Sequence, residues 1–254
     1  MSGPLVIKIG GSTLGSADSA FRDIASLAKS GQVPIVVHGG GAEASRWLDR
    51  MGIVSRFERG LRVTDENVLP VVVAVFAGLV NKRIVAAINA AGATAVGLCG
   101  ADGRILECSL ADPELGFVGE PRRVRTEAIV ALRSAGIVPV IGPIGFVPGE
   151  AADQLVNVNA DTVAGNIAAG LAAESVVFLT DVEGVLGAEG TLRPALTAAE
   201  VRALIADGTI SGGMIPKVEA CLHAVSLGVR AQIVDGRRTG ALLTRVGSGT
   251  TFSA

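Results

Sequence analysis

Six short runs of aliphatic and β-branched residues recur along the chain, and each is followed by a turn rich in glycine or aspartate. The runs lie at residues 5–9, 34–38, 94–98, 138–141, 175–179 and 231–234. They are continuously apolar, which is typical of strands that are buried on both faces. Because helical patterns fill the intervals, the sequence predicts an α/β fold with a mostly parallel sheet.

Apolar residues at helical spacing predict seven helices between these strands. They span residues 18–30, 43–51, 66–91, 125–135, 160–173, a helix opening at 197, and 214–227. Thr197 and Glu200 have the spacing of a capping box, and Pro216 fits the last helix only in its first turn. Residues 104–123 carry more charges and turn formers, which predicts a small hairpin or flap.

Composition excludes several classes of protein. Of 254 residues, 49% are hydrophobic and 18% charged, so the chain has enough apolar surface to fold. A net charge of −2 and 3% aromatic residues argue against nucleic acid as a partner. The longest apolar stretch, residues 68–80, contains Pro70 and is shorter than the ~20 residues of a membrane helix. We therefore expect a buried helix there and no membrane partner.

The three cysteines, Cys99, Cys108 and Cys221, are scattered and form no C-x-x-C pair, and neither histidine lies close to one of them in sequence. This arrangement predicts neither a metal site nor a disulfide framework, and we expect three buried thiols. The first fifteen residues lack the pattern of a signal peptide. Together these features predict a cytoplasmic protein.

Glycines follow the first two predicted strands, at the edge where parallel sheets collect ligands. Gly10-Gly11 and Gly39-Gly40-Gly41 leave backbone N–H groups open to an anion, and a helix start adds partial positive charge. Neither the P-loop pattern nor G-x-G-x-x-G occurs. Two interpretations stay open here: an anion site of another kind, or glycines required only by tight turns.

Lysine is rare, with 4 lysines against 18 arginines. Lys8 lies inside the apolar first strand, and Lys217 follows Gly212-Gly213 at a helix start. A buried ammonium requires an anion, so we predict an anion site at Lys8. The alternative is a lysine at a strand end whose ammonium reaches solvent.

Polar residues at two further places fit the same chemistry. Asn157, Asn159 and Asp161 open a predicted helix; Asn159 is expected to cap it, and Asp161 to fix two lysine ammoniums by charge-assisted hydrogen bonds. Arg62 offers a guanidinium fork that matches a carboxylate. Taken alone, Arg62 is equally compatible with a solvated surface charge.

Six motifs follow one another along the chain: KIGGSTL (8–14), HGGG (38–41), GLRVT (60–64), NVNAD (157–161), TDVEGVL (180–186) and GGMIPKVEAC (212–221). Together they resemble the amino acid kinase family, and specifically its N-acetylglutamate kinase branch. The resemblance extends over essentially the whole chain. It implies an open three-layer α/β/α sandwich around a mostly parallel sheet. It also implies an N-terminal lobe, residues 1–173, for acceptor binding and dimerisation, and a C-terminal lobe, residues 174–254, for ATP, with one sheet shared between them.

The reaction implied by the resemblance transfers the γ-phosphoryl of ATP to the γ-carboxylate of N-acetyl-L-glutamate, the second step of arginine biosynthesis. A carboxylate acceptor is already deprotonated at pH 7, so no general base is needed. Catalysis would consist of positioning and of charge stabilisation of the transferring phosphoryl. Mg²⁺ would be carried on the ATP phosphates, without a carboxylate cluster of the protein's own.

Roles for individual residues follow from the resemblance in the same way. The catalytic residues would be Lys8, Asp161, Lys217, Gly11 and Gly41: two lysines beside the phosphoryl, an aspartate that orients them, and two amide donors. The acceptor would be bound by Gly40, Gly41, Arg62 and Asn157, with Arg62 and Asn157 on its α-carboxylate. The nucleotide would be bound by Lys8, Gly10, Asp181, Val182, Gly184, Val185, Leu186, Thr209, Ile210, Ser211, Gly213 and Lys217.

The resemblance is imperfect in two places. Pro70 lies in the helix expected after GLRVT, so this helix must start late, lose a hydrogen bond or kink. The first strand begins at Leu5, and residues 242–254 lack the acidic, glycine-rich stretch of arginine-inhibited members. We therefore expect a homodimer joined through residues 68–88 and insensitive to arginine.

Other functions remain compatible with the sequence. The nearest is a kinase for carrier-protein-bound aminoadipate or glutamate in lysine or arginine biosynthesis, which GLRVT and NVNAD disfavour. Carbamate kinases and nucleoside-monophosphate kinases of the same fold are more distant. A non-catalytic nucleotide or amino-acid sensor would keep the fold without needing its lysines.

Overall fold

An eight-stranded sheet forms the centre of the molecule. The computed structural model describes residues 3–10, 18–150, 152–187, 189–244 and 248–253. Across the sheet the strands are β12 (Ala195–Thr197), β14 (Thr250–Ser253), β13 (Arg230–Asp235), β11 (Ser175–Thr180), β1 (Leu5–Ile9), β2 (Ile35–His38), β8 (Val138–Gly142) and β5 (Ala95–Cys99). Within this sheet β13 and β14 are the one antiparallel pair, so the expectation of a mostly parallel sheet is confirmed.

Helices cover both faces of the sheet, as the three-layer sandwich requires. One face carries α1 (Asp18–Lys29), α2 (Gly41–Arg50), α3 (Val68–Val73) and α4 (Asn81–Ala90). The other face carries α5 (Glu127–Ser134), α6 (Ala160–Gly170), α7 (Ala198–Ala206) and α8 (Ile215–Ser226). Successive strand residues point to opposite faces. In β1, Ile7 therefore packs in the first layer and Val6 in the second, which places Lys8 on the face of α6 and α8.

The helix ends confirm the local predictions. Thr197 and Glu200 form the capping box of α7, Pro216 lies in the first turn of α8, and Asn159 accepts the backbone N–H groups of Asp161 and Thr162. The helix expected at residues 160–173 is shorter, because α6 ends at Gly170. Cys99, Cys108 and Cys221 are free and buried, as expected.

The segment predicted as a hairpin or flap belongs to a second, smaller sheet. Strands β6 (Leu106–Leu110) and β7 (Gly119–Val124) pair in antiparallel fashion, and β9 (Ile144–Val147) and β10 (Gln154–Asn157) extend the sheet beside β6. The sequence did not predict β9 and β10. Strands β3 (Phe57–Glu58) and β4 (Leu61–Arg62) form a separate short hairpin. Through β10, the small sheet carries Asn157 to the start of α6.

A continuous central helix, Val68–Ala90, joins α3 to α4 through a π-helical segment, Ala74–Val80. It starts late enough to place Pro70 in its first turn, where the missing N–H breaks no helical bond. Asp65 accepts the backbone N–H groups of Asn67 and Val68 ahead of this turn.

The expectation that this segment is too short to cross a membrane was wrong. It has 23 residues, and by length and hydropathy alone it is long and apolar enough to cross a membrane. Its buried residues, among them Val72, Ile84 and Ile88, instead pack in the core against the sheet and α1. Core packing therefore accounts for its hydropathy.

Candidate active site

Lys8 and Asp161 form the tightest contact at the carboxyl edge of the sheet. The Lys8 Nζ lies 2.6 Å from Asp161 Oδ1, and the lysine side chain is 13% exposed. Lys8 is flanked by Val37 of β2 and Phe178 of β11, and Asp161 lies in the first turn of α6. The anion that a buried ammonium requires is therefore present, and the interpretation of Lys8 as a solvated strand-end lysine is wrong.

Lys217 is paired differently from the prediction. Its Nζ lies 3.3 Å from Asp181 Oδ1, whereas the ion pair of Asp161 is with Lys8. In the described residues Asp161 thus forms an ion pair with Lys8, while Lys217, in the first turn of α8, contacts the turn after β11. A hydrogen bond from its own backbone N–H and then the Lys217 ammonium lower the pKa of Asp181.

The two lysines nevertheless belong to neighbouring parts of one edge. Helix α8 packs against α6, and Cys221 lies one turn after Lys217. Burial holds the pKa of the Cys221 thiol well above its ordinary value; the Asp161 carboxylate adds to this effect and the Lys8 ammonium opposes it. Helix α8 therefore passes within electrostatic range of the Lys8–Asp161 pair.

The four residues predicted to bind the acceptor line one cavity. Gly40 and Gly41 border it at the start of α2, Arg62 at the end of β4, and Asn157 at the end of β10. The remaining walls are Gly39, Phe57, Gly60, Leu61, Phe76, Val118, Pro143, Val158, Asn159 and Ala160. The cavity thus adjoins the residue before Asp161.

Arg62 is buried, so its interpretation as a solvated surface charge is wrong. It is 6% exposed, and its guanidinium donates to Ser55 Oγ at 2.8 Å, to the Gly41 carbonyl at 2.9 Å and to Ser45 Oγ at 2.9 Å. Burial lowers the pKa of Arg62, and the nearby Asp49 carboxylate opposes this shift. No ion pair among the described residues involves Arg62. A buried cation with neutral partners beside a cavity favours an anionic ligand.

The glycine turn after β2 borders the same cavity. Gly40 has φ 155°, and a side chain there would meet Phe76 and Val80 at 3.1–3.2 Å. The first intrahelical bond of α2 runs from Ala44 N–H to the Gly40 carbonyl, so the Gly41 N–H precedes the helical ladder. Gly11, the other predicted amide donor, lies outside the described residues.

The predicted nucleotide segments meet through the Lys217–Asp181 pair. Gly10 follows β1, Asp181 and Val182 follow β11, and Thr209 and Ser211 precede α8. Val185 and Ile210 are core residues with buried side chains. Their backbone N–H groups donate to Thr250 Oγ1 and to the Leu204 carbonyl, so neither residue offers a side chain or an N–H group to a ligand. Gly184, Leu186 and Gly213 lie in the same two segments. Gly184 has a packing role as well, because an added Cβ would lie 2.6 Å from Thr250 Oγ1.

Several residues at the cavity were missed at the sequence level. Phe57 pairs with Arg62 across the β3–β4 hairpin, and the guanidinium stacks 4.7 Å from its ring centroid. Ser45 and Ser55 hold the same guanidinium, but they come from α2 and a loop. The sequence signal for the hairpin was Gly60. In the structure Arg59 and Gly60 form its tight turn, with φ 49° and 78°. Within the described ranges, no three His, Cys, Asp or Glu side chains form a group able to hold a metal ion.

His38 is a further missed residue, fully buried beside the glycine turn. Its Nδ1 donates to the Gly39 carbonyl at 2.7 Å, and Asn81 Nδ2 lies 3.1 Å from its Nε2. Burial lowers the pKa of His38 to about 4; the bond to Gly39 opposes this shift, and the Lys82 and Lys8 ammoniums add to it. The imidazole is therefore neutral at physiological pH.

The sequence is similar to a protein family profile and to known enzymes over nearly its whole length. The sequence profile of the amino acid kinase family matches residues 3–235. An acetylglutamate kinase of Acidiphilium cryptum is 49% identical over 98% of this chain and 90% of its own. Another, of Parvibaculum lavamentivorans, is 45% identical over 97% of this chain and 87% of its own.

Solved structures support the same fold. The crystal structure of smu.665 from Streptococcus mutans superposes with a TM-score of 0.86 at 26% identity, covering 99% of this chain and 98% of the other. The N-acetylglutamate synthase of Neisseria gonorrhoeae, solved with coenzyme A and N-acetyl-glutamate, has a TM-score of 0.84 at 27% identity. This match covers 99% of the present chain and 59% of the synthase. A carbamate kinase of Giardia lamblia, at 15% identity and a TM-score of 0.71, shares the fold.

The low pKa of His38 makes stability depend on pH. Between pH 6.5 and about 4, the unfolded chain binds a proton at this histidine that the folded chain does not bind. Stability from this source is complete above pH 6.5 and decreases as the pH falls. From pH 7 to pH 5 we expect the free energy of unfolding of the native chain to decrease by about 2 kcal/mol more than that of His38→Asn.

Urea unfolding at the two pH values measures this difference. His223→Asn is the control, since it removes an imidazole without touching the glycine turn. Parallel pH dependences for the native chain and His38→Asn would contradict the prediction.

Proposed function

Because the chain belongs to the amino acid kinase family, we propose that it transfers the γ-phosphoryl of ATP to the γ-carboxylate of N-acetyl-L-glutamate. The chain is a phosphotransferase with a carboxyl group as acceptor, and its curated relatives at 44–49% identity are acetylglutamate kinases. One observation carries the choice of acceptor: the buried Arg62, hydrogen-bonded to neutral groups, lines a cavity that Gly40 and Gly41 also border.

In the proposed complex the acceptor lies in this cavity. The α-carboxylate takes donors of Arg62 that its bonds to Ser55, Gly41 and Ser45 leave free. Asn157 is fixed for the same task, because its Nδ2 donates to Thr64 Oγ1 at 3.1 Å and its backbone N–H to the Phe117 carbonyl at 2.9 Å. This orientation directs the γ-carboxylate toward the glycine amides and the start of α6.

Phosphoryl transfer then depends on positive charge. Lys8 neutralises charge on the transferring phosphoryl, while the amides of Gly41 and Gly11 donate to its oxygens. Asp161 acts as a positioning residue that holds Lys8. The acceptor carboxylate is ionised at neutral pH, so no residue has to remove a proton.

The nucleotide is assigned to the second half of the chain. Lys217 lies between Asp181 and the glycines that precede α8, so it can exchange its carboxylate partner for an ATP phosphate. Mg²⁺ enters with the ATP phosphates. On this proposal residues 1–173 hold the acceptor and residues 174–254 hold ATP, and the enzyme acts in the cytoplasm.

An ADP-release assay over several acceptors tests the proposal. We expect turnover with free N-acetylglutamate, and little with glutamate, aspartate or aminoadipate, which carry a charged amine. Preference for an acceptor bound to a carrier protein would favour the alternative kinase of lysine or arginine biosynthesis. Binding of both substrates without ADP release would identify a sensor.

Arg62 provides a test of acceptor binding. Arg62→Lys keeps the charge but removes the fork, so the KM for N-acetylglutamate should rise about tenfold or more, while the KM for ATP stays within about twofold. Arg59→Lys on the same hairpin is the control, because Arg59 is exposed and pairs with Asp112. Steady-state kinetics with each substrate varied in turn measure both KM values. Equal KM values for N-acetylglutamate in Arg62→Lys and Arg59→Lys would contradict the assignment.

The two lysines test the charge mechanism. Lys8→Met and Lys217→Met should each lower kcat by about a hundredfold or more, because each removes a cation from the transferring phosphoryl. Lys29→Met, at the exposed end of α1, is the matched control and should be neutral. Normal turnover by either site variant would refute its catalytic assignment.

We also propose a homodimer formed through the outer face of the central helix. A cavity of about 440 Å³ there is lined by Trp47, Met51, Pro70, Val71, Ala74, Val75 and Leu79, and Met51 is 58% exposed. Light scattering should give twice the chain mass of 25.6 kDa. Ala74→Glu places a charge on this exposed position and should yield the monomer; a native monomer, or a dimeric variant, would contradict the interface.

A further inference from the structure

We propose that His38, hydrogen-bonded to Asn81 of the central helix, is a positioning residue that fixes the Gly39 peptide and thereby directs the amides of Gly40 and Gly41 into the acceptor cavity. This inference rests on the proposed function for its kinetic consequence. The structural part concerns the order of the glycine turn itself and can be measured separately.

The Gly39 peptide groups are held from two sides. Its N–H donates to the Ile9 carbonyl at 3.0 Å, and its carbonyl accepts from His38 Nδ1 at 2.7 Å. Both polar groups of Gly39 are therefore engaged away from a ligand. The chain then passes through Gly40 at φ 155° and ψ 14° into α2, whose first N–H groups have no partner within the helix.

The Gly39 carbonyl determines which nitrogen of His38 carries the proton, and Asn81 lies against the other nitrogen. The Gly39 carbonyl is an acceptor only, so Nδ1 must be the protonated nitrogen and Nε2 must accept. Asn81 Nδ2 lies 3.1 Å from Nε2, and also 3.1 Å from the Leu98 carbonyl and 3.0 Å from the Val140 carbonyl. If the Asn81 amide were rotated by 180°, its oxygen would face these two carbonyl oxygens, which is unfavourable. The orientation of the Asn81 amide and the tautomer of His38 are therefore fixed together.

The surrounding backbone is adapted to this contact. Asn81 follows directly on the π segment, which inserts a residue and rotates the subsequent residues by about 100° relative to a regular helix. An added Cβ at Gly97 of β5 would lie 1.8 Å from Asn81 Oδ1, so the strand needs glycine at this position. Asn81 and His38 are both fully buried.

The same helix contacts the turn a second time. Phe76, in the π segment, lies 3.1 Å from where a Gly40 side chain would be, and Val80 lies 3.2 Å from it. The glycine turn is thus held at Gly39 by hydrogen bonds with Ile9 and His38, and at Gly40 by packing of the central helix. Of these, the hydrogen bond to the Gly39 carbonyl sets the direction of the peptide.

Two polar substitutions separate positioning from ordinary core stability. The amide nitrogen of an asparagine lies near the place of the histidine Nδ1, and that of a glutamine near Nε2. His38→Asn therefore keeps a donor for the Gly39 carbonyl, whereas His38→Gln keeps only the group that faces Asn81. Both variants leave a buried amide at residue 38, so a merely structural role predicts that they behave alike.

Kinetics on the two full-length variants give the first readout. We expect kcat for N-acetylglutamate to be at least about tenfold lower in His38→Gln than in His38→Asn, with the KM for ATP within about twofold. Rates are expressed per folded molecule, from thermal denaturation of each variant at the assay temperature. Equal kcat values in the two variants would overturn the proposal.

Amide hydrogen exchange over residues 39–44 gives the second readout, which needs no acceptor. We expect exchange about tenfold faster in His38→Gln than in His38→Asn, and equal protection would overturn the proposal. Absence of turnover in the native chain would instead mean that the proposed function fails. The exchange comparison then decides the structural inference alone.

Discussion

The ion pair between Lys8 and Asp161 is the contact on which the rest of the site depends. It places an ammonium inside a parallel sheet, and such a charge is tolerable only with an anion held in reach. Asp161 is in reach because Asn159 caps α6 and fixes its first turn, and because β10 delivers the chain to that point. The cavity beside Asn157 and the glycine turn after β2 then share the same edge. One buried charge thus links the strand order to the chemistry.

The central helix serves the site from the opposite layer. Its inner face packs on the sheet, its π segment packs against Gly40, and Asn81 reaches His38 at the end of β2. The outer face carries the apolar residues assigned to a second copy of the chain. Packing of the inner face in the core accounts for the hydropathy of this helix. The helix also connects the proposed interface to the acceptor cavity.

Features that depend on local chemistry could be predicted from the sequence. The capping box at Thr197, the position of Pro216 and the cap at Asn159 each depend on groups within one helical turn. The continuously apolar sequence of the strands likewise predicted that they are buried. The partner of Lys217 could not be predicted, because two aspartates distant in sequence were equally suitable. Phe57 and Asn81 were missed since their roles arise only when the hairpin and the π segment bring them to Arg62 and His38.

In the proposed reaction a carboxylate receives the phosphoryl group without a general base. Hydroxylamine added to the reaction of the native enzyme with ATP and N-acetylglutamate tests it most directly, because an acyl phosphate reacts to give a hydroxamate. We expect a hydroxamate at the γ-carboxyl group, formed in step with ADP. ADP release without hydroxamate, or a hydroxamate at the α-carboxyl group, would contradict the proposed reaction.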